Sequence, residues 1–269
     1  MKTTNLKSLK EGSIIKGFFI CRKFNIKISR LGDPFIDLFL EDSSGSIRAK
    51  IWSFVDEYKN HLEINKPIAI KGKVISFNQA LEIDVYHLSI IDNNLYDKYG
   101  YSKNLLVQKS EKNIDLLYNK LIGFINKINH KSKKSILSFF KQNKKKILLI
   151  PAIDKKYNLS GGFLSQIVSI MKLNNKIYND YKYDYNLVSI GILLKNIGLI
   201  DYYKDDFYSI NSKDKKMGYN TLTLGIVKQK FSKYEDIQLL IQNLLIDNDL
   251  YDSYETNVIK YLYNFDSLM

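Results

Sequence analysis

Two short stretches of strict alternation, joined by a four-residue turn, restrict this chain more than any other feature. In residues 34–41 Ile36, Leu38 and Leu40 share one parity, while Phe35, Asp37, Phe39 and Glu41 share the other. Residues 46–52 repeat the pattern with Ile47, Ala49 and Ile51 set against Arg48, Lys50 and Trp52. Successive side chains of a strand point to opposite faces, so each stretch reads as a strand with one buried and one open face. Asp42-Ser-Ser-Gly45 supplies the turn between them.

Further strand patterns fall at 13–22, 67–75 and 80–91, the last two joined through Phe77-Asn-Gln79, and 54–61 has the pattern of a short helix. Five strands with a helix between the third and fourth is the order of an OB-type barrel, a small closed sheet that hides its own edges. From residue 114 the period changes. Ile114, Leu117, Leu121, Phe124, Ile125 and Ile128 make one apolar stripe, and helical patterns continue over 131–146, 163–181, 184–197, 222–231, 234–246 and 253–265. The expected fold is therefore α+β and multidomain, a five-stranded barrel followed by an all-helical domain. The expected boundaries are 1–92 for the barrel, 93–150 for a polar linker and basic helical segment, and 151–269 for the helical domain.

The open parity of the two alternating strands carries Phe35, Phe39 and Trp52 beside Arg48 and Lys50. Aromatic faces stack unpaired bases and cations hold phosphates, so this face suits a single strand of RNA or DNA. Phe35 and Trp52 have a second reading, as packing at the barrel rim. Charge distribution adds another candidate. The net charge of +13 is mostly lysine, which an AT-rich coding composition also produces, but its placement is uneven. Residues 1–92 carry net +3, residues 93–150 net +10 and residues 151–269 net 0. Lys131, Lys133, Lys134, Lys141, Lys144, Lys145 and Lys146 fall within sixteen residues that contain no acidic residue. Mutual repulsion in such a run is relieved by a polyanion. The nucleic-acid-binding residues expected from sequence are thus Phe35, Phe39, Arg48, Lys50, Trp52, Lys131, Lys133, Lys134, Lys144, Lys145 and Lys146. The lone Cys21 sits in an apolar strand pattern and reads as a buried thiol. No run approaches the roughly 20 apolar residues of a membrane span, so a cytoplasmic protein without membrane contact is expected.

The segment Pro34-Phe-Ile-Asp-Leu-Phe-Leu-Glu-Asp-Ser-Ser-Gly45 with Ile47-Arg-Ala-Lys-Ile-Trp52 resembles the OB domain of the YhaM-type 3′–5′ exoribonucleases. Ile150-Pro-Ala152, Gly161-Gly-Phe-Leu164 and Leu194-Lys-Asn-Ile-Gly198 resemble, in order and spacing, landmarks of the HD phosphohydrolase domain that follows it in that family. The resemblance implies an HD-like helical domain whose metal ligands are replaced. Family histidines fall on Lys156-Tyr157 and Gln166, and the His-Asp pair falls on Lys195-Asn196. A Gly-His element falls near Asn220-Thr221, the paired histidines near 242–245, and the last aspartate on Tyr263. The chain has only His61, His87 and His130, so residues 151–269 cannot supply an imidazole ligand. No cofactor is expected. The reading that follows is a non-catalytic RNA- or single-strand-binding protein, its helical domain kept as a scaffold for self-association or for a protein partner. Two other readings stay open: a metal-dependent exoribonuclease using oxygen ligands such as Asp201, Asp205 and Asp206, and a structural subunit of a larger assembly.

Overall fold

The computed structural model describes residues 6–91, 94–102, 105–107, 113–204, 208, 210, 212–246 and 253–269. Two compact units divide the chain at residues 109 and 110. In the first, a closed barrel runs in the order β1-β2-β3-β5-β4, formed by β1 (Ile14–Ile28), β2 (Pro34–Asp42), β3 (Gly45–Ile51), β4 (Lys66–Phe77) and β5 (Ala80–Ile90). Helix α1 (Val55–His61) lies between β3 and β4 in sequence, as the strand order requires. Neighbours are antiparallel except β3 and β5, whose parallel pairing closes the barrel. Ile36, Leu38, Leu40, Ala49 and Ile51 are all buried, so the parity read from sequence holds on both strands.

Strand β1 is longer than its sequence pattern suggested. Its first half pairs with β4 and its second with β2, and the register shifts between Cys21 and Lys23. That irregularity changes the inward parity from Ile15, Phe19 and Cys21 to Phe24, which hides a continuous strand from a strict period-two search. Cys21 is buried, and burial pushes its thiol up to about 12, as expected of an inert core cysteine.

The segment expected to be a linker belongs to the barrel unit. Its 3-10 helix, Asn94–Tyr99, brings Tyr96 edge-on to Phe18 of β1 at 6.0 Å, and Tyr101 approaches the same ring at 5.3 Å. Leu106 and Val107 are buried, and Ser43 donates its backbone N–H to Leu105 O at 3.0 Å. Its polar composition concealed three aromatic residues and a short apolar run with a surface to cover.

The second unit is helical: α2 (Ile114–Lys127), α3 (Lys133–Gln142), α4 (Lys144–Ile147), α5 (Gly162–Ile177), α6 (Tyr185–Leu194), α7 (Leu199–Tyr202), α8 (Ser212–Lys230), α9 (Glu235–Leu245) and α10 (Tyr254–Leu268). Residues on α2, α3 and α4 share one buried cluster with those on α5, α6, α9 and α10, so the basic segment is part of this unit and not a separate piece. Helix α6 is apolar all round and buried from Val188 to Leu194, which makes it the central helix. It starts where the Asp184 side chain accepts from the N–H groups of Asn186 and Leu187.

Reciprocal hydrogen bonds explain why Ile150-Pro-Ala152 and the paired glycines occur together. Gly161 N–H donates to Leu149 O, Phe163 N–H to Ile150 O, and Ala152 N–H to Tyr157 O. Gly161 takes φ +76°, and the Gly162 Cα lies against the Tyr157 carbonyl with no room for a Cβ. The loop is thereby locked to the start of α5.

Candidate nucleic-acid interface

Strands β2 and β3 with the β4–β5 hairpin wall a groove of about 480 Å³. Phe35, Phe39, Arg48 and Lys50 all line it, joined by Lys27, Asp37, Phe77, Asn78, Leu81 and Glu82, among others. The register sets Phe39 opposite Arg48 and Asp37 opposite Lys50. Asn78 and Gln79 turn the hairpin with φ +48° and +64°, which places Phe77 beside the groove. Phe35 and Trp52 stack on one another at 4.5 Å with their planes 25° apart. Each therefore presents one face to its neighbour, and Trp52 keeps 46% of its surface open. Rim packing and an exposed aromatic platform are the same arrangement here.

The two cations differ. Arg48 is exposed, and among the described residues it makes no ion pair. Lys50 is held: its Nζ lies 2.6 Å from Glu82 Oε2 and 4.2 Å from the centre of the Phe77 ring. Sequence reasoning missed Lys27, Phe77 and Glu82. The hairpin Phe77-Asn-Gln79 was a usable signal for Phe77, but Glu82 reaches the groove only through the parallel closure of β3 on β5.

Three of the seven lysines of 131–146 have acidic neighbours, which come from other parts of the chain. Lys131 lies 3.8 Å from Asp236, Lys144 3.9 Å from Asp115, and Lys146 3.5 Å from Asp201. Lys146 also donates to Ile200 O at 3.1 Å, and Lys144 sits over the Tyr118 ring. Lys133, Lys134, Lys141 and Lys145 make no ion pair among the described residues. The repulsion inferred from local sequence is partly relieved within the fold.

Several residues that the family resemblance sets at HD ligand positions make contacts within the helical unit. Lys195 Nζ sits 4.0 Å above the Tyr263 ring, whose hydroxyl donates to Ile192 O. Lys156 Nζ donates to Asp266 O at 2.7 Å, and the buried Asp266 carboxylate accepts from Ser169 Oγ at 2.5 Å beside the Tyr157 hydroxyl. Burial raises the Tyr157 phenol to about 12 and also raises that of Tyr263. Gln166 and Asn196 are buried, whereas Asn220, Thr221 and Gln242 are exposed. Asp266, three residues beyond Tyr263 on α10 and likewise buried, was not among the residues singled out from sequence. An HD-type metal does not fit this donor set. An ammonium on an aromatic ring repels a cation, and one carboxylate with neutral side chains is a weak ligand set. Among the described residues no three His, Cys, Asp or Glu side chains gather as metal ligands. Asp201 is engaged by Lys146, and Asp205 and Asp206 lie outside the described residues.

Burial lowers Lys195 from 10.5 to about 8. Below about pH 8 the folded and unfolded chains both carry the charge, and its burial cost is fully present. Between 8 and 10.5 the unfolded chain binds the extra proton, so stability rises with pH. Lys195→Met is expected to raise the helical unit's stability at pH 7 by about 1–2 kcal/mol, after loss of the ring contact is deducted. Thermal melts at pH 7 and pH 10 check this, with the gain shrinking at the higher pH.

The family described as OB-fold nucleic acid binding domain matches residues 22–91. Over 192 residues the chain is 26% identical to the 3′-5′ exoribonuclease YhaM of Oceanobacillus iheyensis, covering 70% of this chain and 59% of that relative. The two proteins are related. The match to YhaM thus spans less than two thirds of the relative's length. Among solved structures, the second OB-fold domain of replication protein A from Methanococcus maripaludis is 20% identical, covering 35% of this chain and 99% of that one at a TM-score of 0.29. The mitochondrial single-stranded DNA binding protein Rim1 from S. cerevisiae is 6% identical, covering 31% and 98% at 0.27. Among the described residues no helix is long and apolar enough to cross a membrane.

Proposed function

We propose that this protein binds single-stranded RNA through the β2–β3 groove and that its helical unit is a non-catalytic descendant of an HD domain. One observation carries the binding half. The Arg48 guanidinium, which makes no ion pair among the described residues, sits across the strand pair from the half-open ring of Phe39, and the Phe35–Trp52 stack lies four residues along the same two strands, beyond the Asp37–Lys50 pair. A phosphate on Arg48 leaves the adjoining base over an aromatic face, and the groove is too small for a duplex. The YhaM relative is an exoribonuclease by name, which favours RNA over DNA. The non-catalytic half is supported by the Lys195–Tyr263 pair and the replaced ligand positions.

The test is incubation of the purified protein with end-labelled single-stranded RNA in Mn²⁺, Mg²⁺ or EDTA, scoring both mobility shift and shortening. A shift without shortening in every condition is expected. Metal-dependent shortening that follows the protein through purification overturns the non-catalytic reading. Arg48→Glu combined with Phe39→Ala is expected to weaken binding by about 3 kcal/mol, roughly a hundredfold, with a shallower salt dependence. Unchanged affinity moves the site to Lys133, Lys134, Lys141 and Lys145.

A further inference from the structure

The barrel has a second pocket that shares no residue with the β2–β3 groove. Strands β1, β4 and β5 form its floor and the 3-10 helix Asn94–Tyr99 one wall, enclosing about 290 Å³. Lys16 of β1 lies directly across from Lys71 of β4, and Lys71 lies across from His87 of β5. This is a lateral row of two lysines and a histidine on three neighbouring strands. Facing like charges on adjacent strands destabilise a sheet, yet among the described residues no carboxylate lines the pocket. Lys16 and Lys71 make no ion pair among the described residues, and both are exposed. Among the described residues the His87 ring meets neutral hydroxyls, those of Ser89 at 3.1 Å and Tyr58 at 3.5 Å.

Two residues further along β1, on the same face of the strand, the chemistry changes from cationic to aromatic. Phe18 lies on the floor, with Tyr96 edge-on to it, and the 45%-exposed Tyr99 ring stands 6.3 Å from Tyr96. The pocket therefore offers an anion site and a flat apolar site a few ångströms apart. Its volume lies at the small end for ligand sites, about 300 Å³, room for one planar ring system with its phosphate. We propose that it binds a nucleoside phosphate, with the phosphate on Lys16, Lys71 and His87 and the base against Tyr96 and Tyr99. The unit is either a free mononucleotide or one nucleotide of a strand. The assignment stands on this pocket alone and does not depend on the groove on the other strands.

The test titrates the full chain calorimetrically with adenosine monophosphate, adenosine and inorganic phosphate. The nucleotide is expected to bind once per chain, and at least about tenfold more tightly than either fragment, because each fragment fills half the pocket. Lys16→Met with Lys71→Met is expected to weaken the nucleotide by roughly tenfold or more, the loss of two charge-assisted contacts. Tyr99→Ala is expected to weaken adenosine and the nucleotide but not phosphate. The lysine variant should melt no lower than the parent, since it removes repulsion, so its loss is one of binding. An oligoadenylate that competes with labelled mononucleotide identifies the strand as the source; one that does not compete identifies the free nucleotide. Binding no tighter than phosphate alone overturns the proposal. So does nucleotide affinity lost in Arg48→Glu and kept in the lysine pair, which would place the nucleotide in the β2–β3 groove.

Discussion

Gly162→Ala is expected to abolish the cooperative unfolding transition of the helical unit. A methyl group built on Gly162 falls 1.7 Å from Tyr157 O and 2.7 Å from its carbonyl carbon. Both are backbone atoms, so no rotamer change can make room. Either Tyr157 moves and its carbonyl gives up the N–H of Ala152, or α5 shifts and Phe163 N–H leaves Ile150 O. Phe163 and Leu164 at the start of that helix are fully buried, so a shift there opens the core. Overlap of this size costs more than about 4 kcal/mol, against the roughly 5–15 kcal/mol that holds a domain together. Gly123→Ala is the control. Gly123 is exposed on α2 with nothing within 4 Å of the added methyl, and the change should stabilise by about 0.5–1 kcal/mol. Circular dichroism melts of the two variants separate the outcomes, and a Gly162→Ala protein that melts like the parent would show that the 150–162 loop is not locked as described.

The same glycine illustrates what is legible in the sequence alone. Its place beside Gly161, ahead of a helical pattern, marked a tight turn, but the carbonyl it makes room for belongs to a residue with no local pattern of its own. Strands β2 and β3 were legible because period two is a local property, and both their faces follow from it. The first half of β1 was legible and the second was not, since the register shift at Cys21/Lys23 breaks the period. Long-range pairing was the general blind spot. Asp236, Asp115 and Asp201 answer lysines that looked unrelieved, and Lys195 meets Tyr263 across 68 positions. The β1–β4–β5 pocket escaped notice for the same reason. Lys16, Lys71 and His87 are far apart in the chain, and only the barrel's register sets them in a row.

Lys50→Met is expected to destabilise the barrel by about 3 kcal/mol, and Lys50→Met with Glu82→Leu to recover most of that loss. The Lys50 side chain is 17% exposed and that of Glu82 only 6%, so the 2.6 Å pair is largely withdrawn from water. Removing one member of such a pair leaves a buried charge without compensation, at about 3–5 kcal/mol, whereas replacing both with apolar groups is often nearly neutral. The lower figure applies here because the groove is open on one side. Methionine also keeps most of the lysine stem against Phe77. A double-mutant cycle by urea unfolding should therefore give a coupling of about 2–3 kcal/mol, and strictly additive losses would show that the pair carries no such energy. The cycle also settles how binding data on this face are to be interpreted. Charge reversal at Lys50 puts two carboxylates together, so lost RNA affinity in that variant reflects damage to the barrel as much as a lost phosphate contact. In the double variant the fold is restored with no cation at position 50. Affinity for single-stranded RNA within about twofold of the parent would make Lys50 a residue that shapes the groove, leaving Arg48 to hold the phosphate; a tenfold loss, about 1.4 kcal/mol, would return Lys50 to the ligand contacts.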